Sequence, residues 1–238
     1  MKIIFLLLFA LWSVTLIAQP GLTIYGDVGE NNVSHGWYVK SAVIGNYHWK
    51  KIKIGSGLQF DRKYCWDNEF SGFKATIGRE FSIKEFTFTG QAFFIYAPFS
   101  ELLYQTNWGA LVDVKHNHVQ LSIGANKRTY AYTQKAIEEY HIPKDSAKIR
   151  EHLNIMYSFS YFIKPIDNDW NVGLSVTNYD NFVINQETNP MFNLQGLYRV
   201  SEPLIVYAEA WLQISGLTNL EINYFGCYFR TGLLWQLD

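Results

Sequence analysis

The chain has 238 residues, of which 48% are hydrophobic, 17% aromatic and 17% charged, with a formal net charge of −1. The length suits one domain, the aromatic content favours strands, and the low charge argues against disorder. A nearly neutral chain also offers no electrostatic footprint for nucleic acid.

Lys2 precedes an unbroken apolar run over residues 3–12; Ser13 and Thr15 follow, and Ala18 is the small residue before Gln19. This is the layout of an export signal over 1–18, cleaved to leave a mature domain of 19–238. The apolar run is shorter than the roughly 20 residues of a helical membrane span, which weighs against an anchor.

From there the pattern is period two. Twelve strands are expected at 21–31, 37–49, 51–61, 72–82, 85–96, 107–115, 119–130, 153–164, 171–179, 191–199, 204–215 and 222–237. The last is the clearest: Phe225, Cys227, Phe229, Thr231, Leu233 and Trp235 alternate with Tyr224, Gly226, Tyr228, Arg230, Gly232 and Leu234. Alternation of this kind gives a strand one apolar and one polar face. Short connections, such as Trp49-Lys50 and Ile83-Lys84, interleave with longer ones, the longest at 131–152.

Aromatic residues decide which face is outside. On the apolar face, Trp49, Phe86, Tyr161, Trp170, Tyr198 and Trp235 fall near short turns. Trp37, Tyr96, Trp108, Phe182 and Phe192 fall near long connections. Two aromatic girdles around an aliphatic band are what a bilayer selects. The expected fold is all-β: a single antiparallel transmembrane β-barrel of twelve strands with tight periplasmic turns, both termini periplasmic, and a long extracellular loop near 131–152. On this wall Leu174→Arg should lower folding stability, and Ser175→Arg, one residue on, should be tolerated better.

The chain resembles the small outer-membrane β-barrel proteins of Gram-negative bacteria. The Ala18-Gln19 junction and the aromatic-rich strands are similar to barrels of the Bacteroidetes type. The C-terminal strand resembles an assembly signal read by the barrel-insertion machinery, although Gln236, Leu237 and Asp238 follow Trp235 where the pattern often ends. The resemblance implies an outer-membrane location, outer-membrane lipid around the wall, and the insertion machinery as a partner during assembly.

No catalytic constellation is legible. Barrels resembling outer-membrane phospholipases carry Ser and His on the lipid-facing wall, whereas the strand-interior His48 points inward by parity. Without a nucleophile beside a base there is no activation to argue from, which weighs against a membrane-embedded lipid hydrolase. His116 and His118 flank Asn117 in a turn with no Cys or carboxylate nearby in sequence to complete a metal set. No cofactor motif is present.

The functional lead is the set of inward charges: Lys40, Lys53, Lys74, Asp113, Lys115, Arg128, Arg199, Glu209 and Arg230. They read either as a weakly anion-favouring pore lining or as a sealed, ion-paired interior. The expected function is passive: a structural barrel or a narrow channel for small solutes. The alternative is a non-enzymatic binding or assembly component that meets a protein partner through its extracellular loops. Cys65 and Cys227 are expected as unpaired thiols.

Overall fold

Period-two alternation folds into one ring of antiparallel strands. The computed structural model describes residues 19–31, 36–61, 70–98, 100–215 and 224–236. The expected export signal and Cys65 lie outside the described residues. The strands are β1 (Gln19–Asn31), β2 (Gly36–Trp49), β3 (Ile52–Asp61), β4 (Phe70–Ile83), β5 (Phe86–Pro98), β6 (Leu103–His116) and β7 (Val119–Tyr132). After the short helix α1 (Gln134–Glu139) come β8 (Lys148–Phe162), β9 (Trp170–Thr177), β10 (Met191–Ser201), β11 (Leu204–Ser215) and β12 (Tyr224–Gln236). Each strand pairs with its neighbours in sequence, and β1 pairs with β12 to close a twelve-stranded barrel.

The tight turns set the register. Lys50, Lys84 and Asn117 take positive φ values of 57°, 54° and 45° in the connections β2–β3, β4–β5 and β6–β7. Such left-handed residues match the twist of a hairpin and pin the pairing on either side. At the opposite end the strands outrun expectation. β6 begins at Leu103, β7 continues to Tyr132 and β8 begins at Lys148. The expected loop at 131–152 is therefore shortened at both ends, with 131–132 in β7 and 148–152 in β8, and α1 lies in the connection between them. Thr133 caps α1 through the Ala136 amide at 3.3 Å, and Lys135 forms an ion pair with Glu101.

The burial pattern is inverted relative to a soluble protein. Ile24, Val43, Ile54, Leu121, Leu174 and Phe229 are exposed, whereas Asn107, Asn126, Asn171 and Arg230 are buried. The apolar faces thus point outward on every side of a sheet that has no edge. Trp49, Trp170, Tyr198 and Trp235 are exposed near the short-turn end, and Trp37, Trp108 and Phe192 toward the other. Arg79 also faces out. One residue of the expected girdle is misplaced: Phe182 lies inside the barrel, 5% exposed. The reason is that its segment does not continue the wall but turns into the lumen. Cys227 is an exposed free thiol on the outer face.

Where strands cross closely, the interior tolerates no added bulk. A Cβ at Gly124 on β7 would collide with the Ala110 carbonyl oxygen and with Leu111 on β6. Overpacking of this kind costs about 1–3 kcal/mol. Gly124→Ala is expected to lower the unfolding free energy of the refolded barrel by that amount, seen as a lower urea midpoint. An unchanged midpoint would show that β6 and β7 stand farther apart.

Candidate functional site: a hairpin folded into the lumen

β9 is short because Asn178 ends it. The Tyr157 amide donates to Asn178 Oδ1 at 2.8 Å, and Asn178 Nδ2 donates to the Ile155 carbonyl at 2.8 Å. A side chain thus satisfies the β8 groups that a further strand residue would have paired, which meets the general demand that buried backbone groups be bonded. The backbone, released from the wall, turns inward. Tyr179 and Ile184 form an isolated antiparallel bridge, the Asp180 amide donates to the Val183 carbonyl at 2.7 Å, and the Asn185 amide donates to the Asn178 carbonyl at 2.7 Å. The result is a small hairpin, 178–185, whose tip carries Asp180, Asn181 and Phe182.

Two apolar contacts seat it. Ile184 packs with Phe93, Ile95, Leu111 and Met156 on one wall. Phe182 packs with Tyr25 and Ala42 on the other, flanked by Ile44 and Tyr207. Gly57 leaves the room for Phe182: a Cβ there would stand 3.2 Å from Phe182 Cζ.

Charge completes the attachment. In the two ladders of β12, Arg230 lies directly opposite Asp27 of β1 and Glu209 of β11. The row continues as Asp27 opposite Lys40, and Lys40 opposite Asp61. Acid and base therefore alternate around five strands, the arrangement in which cross-strand pairs attract. Arg230 donates from Nε to Asp27 Oδ1 at 2.7 Å and from Nη2 to Asp27 Oδ2 at 3.0 Å. It donates to Asp180 at 2.9 Å from Nη1 and at 2.6 Å from Nη2, and to Glu209 at 3.4 Å. This is the bidentate use of a planar guanidinium on carboxylates. The Tyr25 ring lies 4.0 Å from the guanidinium carbon, with Tyr228 at 5.6 Å and Trp211 at 5.9 Å. Trp211 stacks on Tyr228 and donates from Nε1 to Glu209 at 2.8 Å. Burial would raise the Asp180 carboxyl, but the Arg230 charge outweighs it and holds the group below its usual range.

The other inward charges lie in four places. Lys74 Nζ donates to Asn181 Oδ1 at 3.5 Å. Arg128 donates to the Ile184 carbonyl, and to Asn107 Oδ1 at 3.2 Å. These two hold the hairpin from the remaining sides. Nearer the short-turn end, Lys53 pairs with Glu80, Asp113 accepts from the Ser122 hydroxyl, and Lys115 lies between Thr87 and Gln120 in the ladders. Arg199 is apart at the short-turn rim, bonded to Asp169 at 3.3 Å and to the Glu202 carbonyl at 3.0 Å. Lys40 sits 5.5 Å from the Tyr38 ring centre.

Arg230 is enclosed by three carboxylates and Arg128 grips the hairpin, an ion-paired arrangement that the sequence held open beside a pore lining. Asp180 also enters the lumen from the hairpin and reduces the excess of cations that strand parity implies. Among the described residues no group of His, Cys, Asp and Glu is placed to hold a metal ion.

Below the hairpin the lumen opens into a cavity of about 490 Å3. Its lining runs from Lys74, Asn181 and Arg230 under the hairpin to His48 and Lys53 beside the turn at Lys50.

No protein-family profile matches the sequence, and no curated protein sequence matches it. Solved structures share its architecture. The KdgM porin in complex with disordered oligogalacturonate aligns over 91% of this chain and 99% of that one, with a TM-score of 0.54 at 8% identity. The NanC porin aligns over 90% and 100%, with a TM-score of 0.54 at 11% identity. An outer-membrane channel from Pseudomonas putida F1 aligns over 92% and 95%, with a TM-score of 0.54 at 8% identity. At these identities the likeness is one of fold alone.

Proposed function

We propose that this barrel spans the outer membrane, with its termini and tight turns on the periplasmic side, and acts as a narrow passage for small solutes gated by the 178–185 hairpin. The apolar wall between two aromatic bands supports the membrane setting, since such bands mark bilayer interfaces. The fold shared with porins supports it further. The export signal read at 1–18 supplies the route to that membrane.

One observation carries the passage reading. The hairpin is held by a compact ion cluster and two small apolar seats, and beneath it lies an open cavity of mixed lining instead of a packed core. A purely structural barrel has no need of such a hollow, whereas a constriction above a vestibule is how a channel limits what passes. The scaffold reading would require the hairpin never to leave its seat.

Planar-bilayer recording on refolded protein separates the two. Small, infrequent conductance steps are expected from the wild type. Phe182→Ala combined with Ile184→Ala should remove both apolar seats, with larger or longer openings as the result. Silence from both proteins would overturn the passage and leave the scaffold.

A further inference from the structure

The cavity under the hairpin contains one charge that its surroundings do not use up. Arg230 is shared among Asp27, Asp180 and Glu209. Glu209 is occupied by Arg230 and Trp211. Lys53 is paired with Glu80. Lys74 is different: among the described residues no carboxylate lies within ion-pair distance, and its one hydrogen bond, to Asn181 Oδ1, is long at 3.5 Å. An ammonium carries three donors. Lys74 is half-buried on the wall of the open cavity, so donors beyond the Asn181 contact face the hollow.

The rest of the lining mixes apolar side chains, among them Ile44, Leu197 and Ile205, with neutral polar ones. Asn46, Thr76, Thr89, Gln91 and Gln195 face the same hollow from β2, β4, β5 and β10. Amides and hydroxyls both donate and accept, which suits the hydroxyl groups of a solute. The volume lies within the roughly 300–1,000 Å3 typical of small-molecule sites. A dianion such as phosphate fits poorly, because a single lysine offers neither a second cation nor the fork of a free arginine. Glu209 on the same lining would repel the second charge.

We infer that this cavity is a binding site for a small hydroxylated carboxylate, with the carboxylate on Lys74 and the hydroxyls on the amide and threonine wall. The inference deepens the passage reading and rests on it for the ligand's route, from the short-turn end where His48 and Lys53 flank the mouth. Lys74 has a double use in this arrangement. It touches the hairpin tip through Asn181, so a carboxylate that engages Lys74 competes with that contact from below.

Titration calorimetry on refolded protein in non-ionic detergent tests the site, with gluconate as the probe. Glucose carries the hydroxyls without the charge, and acetate the charge without the hydroxyls. Saturable gluconate binding is expected, at least about 10-fold tighter than either control, since both halves of the recognition are then used. Lys74→Gln should weaken gluconate about 10-fold or more, whereas Lys74→Arg, which keeps the charge, should stay close to wild type. Heat-dependent gel migration of each variant shows that the barrel has formed. Gluconate that binds Lys74→Gln as well as wild type, or glucose that binds as well as gluconate, would overturn the assignment. A barrel that conducts but does not bind gluconate loses this site and keeps the passage. One that binds gluconate through Lys74 and never conducts keeps the site and loses the passage.

Discussion

Arg230→Ala is expected to destabilise the barrel by about 3–5 kcal/mol, the usual penalty for removing one member of a buried ion cluster. Three carboxylates, Asp27, Asp180 and Glu209, would be left around a hole with no cation between them. Arg230 is itself 2% exposed, so water cannot readily replace it. The stacked Trp211 and Tyr228 would lose the guanidinium between their faces and the Tyr25 ring. Urea unfolding of refolded protein reads the loss directly. Limited proteolysis reads its local part, because the 178–185 hairpin should become cleavable before the strands do. Arg230→Lys should recover only a fraction, since a point charge cannot serve Asp27 and Asp180 bidentately. An Arg230→Ala barrel as stable as wild type would show that the cluster is solvated and that the hairpin is held elsewhere.

The second large effect is on the outer wall. Leu174 is 62% exposed in the middle of β9. An arginine near the bilayer midplane on such a wall costs about 2–4 kcal/mol. Leu174→Arg should lower folding stability in lipid vesicles by that order. The inward comparison must be chosen from the structure and not from parity alone. Ser175, next along the strand, is buried and its hydroxyl donates to Ser160 Oγ at 2.7 Å, so an arginine there has no space. Gln91 lines the cavity and offers room. Gln91→Arg should therefore cost much less than Leu174→Arg. Equal penalties in lipid would mean that the apolar face is not against acyl chains.

The strands were legible because each one repeats the same physical rule. Residues such as Val112, Leu121 and Leu194 face outward, and Asn126, Asn193 and Arg230 inward, as period two requires. The ends were less legible. Lys148, Arg150, Glu151 and His152 read as a solvated loop, yet they belong to β8, because a strand that extends past the apolar band keeps its ladder without its greasy face. The inserted hairpin is not legible from period two. The polar residues Asn185, Gln186, Glu187 and Thr188 resemble any outside connection, and the segment is shorter than the one at 131–152. A signal was present: Phe182, Val183 and Ile184 are an apolar run in a loop, and Asp180 beside them is a counter-charge for an inward arginine. Parity ranks residues by face. It says nothing of contacts such as Asp180 with Arg230, fifty positions apart, that only closure creates.

The two ends of the chain bear on when the hairpin arrives. Asp27 and Arg230 are 203 residues apart and meet only where the first strand joins the last. Contacts of such long sequence separation form late, because the loop between them must first be closed. The receptor for Asp180 is therefore unfinished while the sheet is still open, although the hairpin itself precedes β10 along the chain. A ring sealed in the wrong register would place another residue opposite Asp27 and offer Asp180 no guanidinium. The contact of Asp180 with Arg230 beside Asp27 thus records that the ring has shut in the correct register.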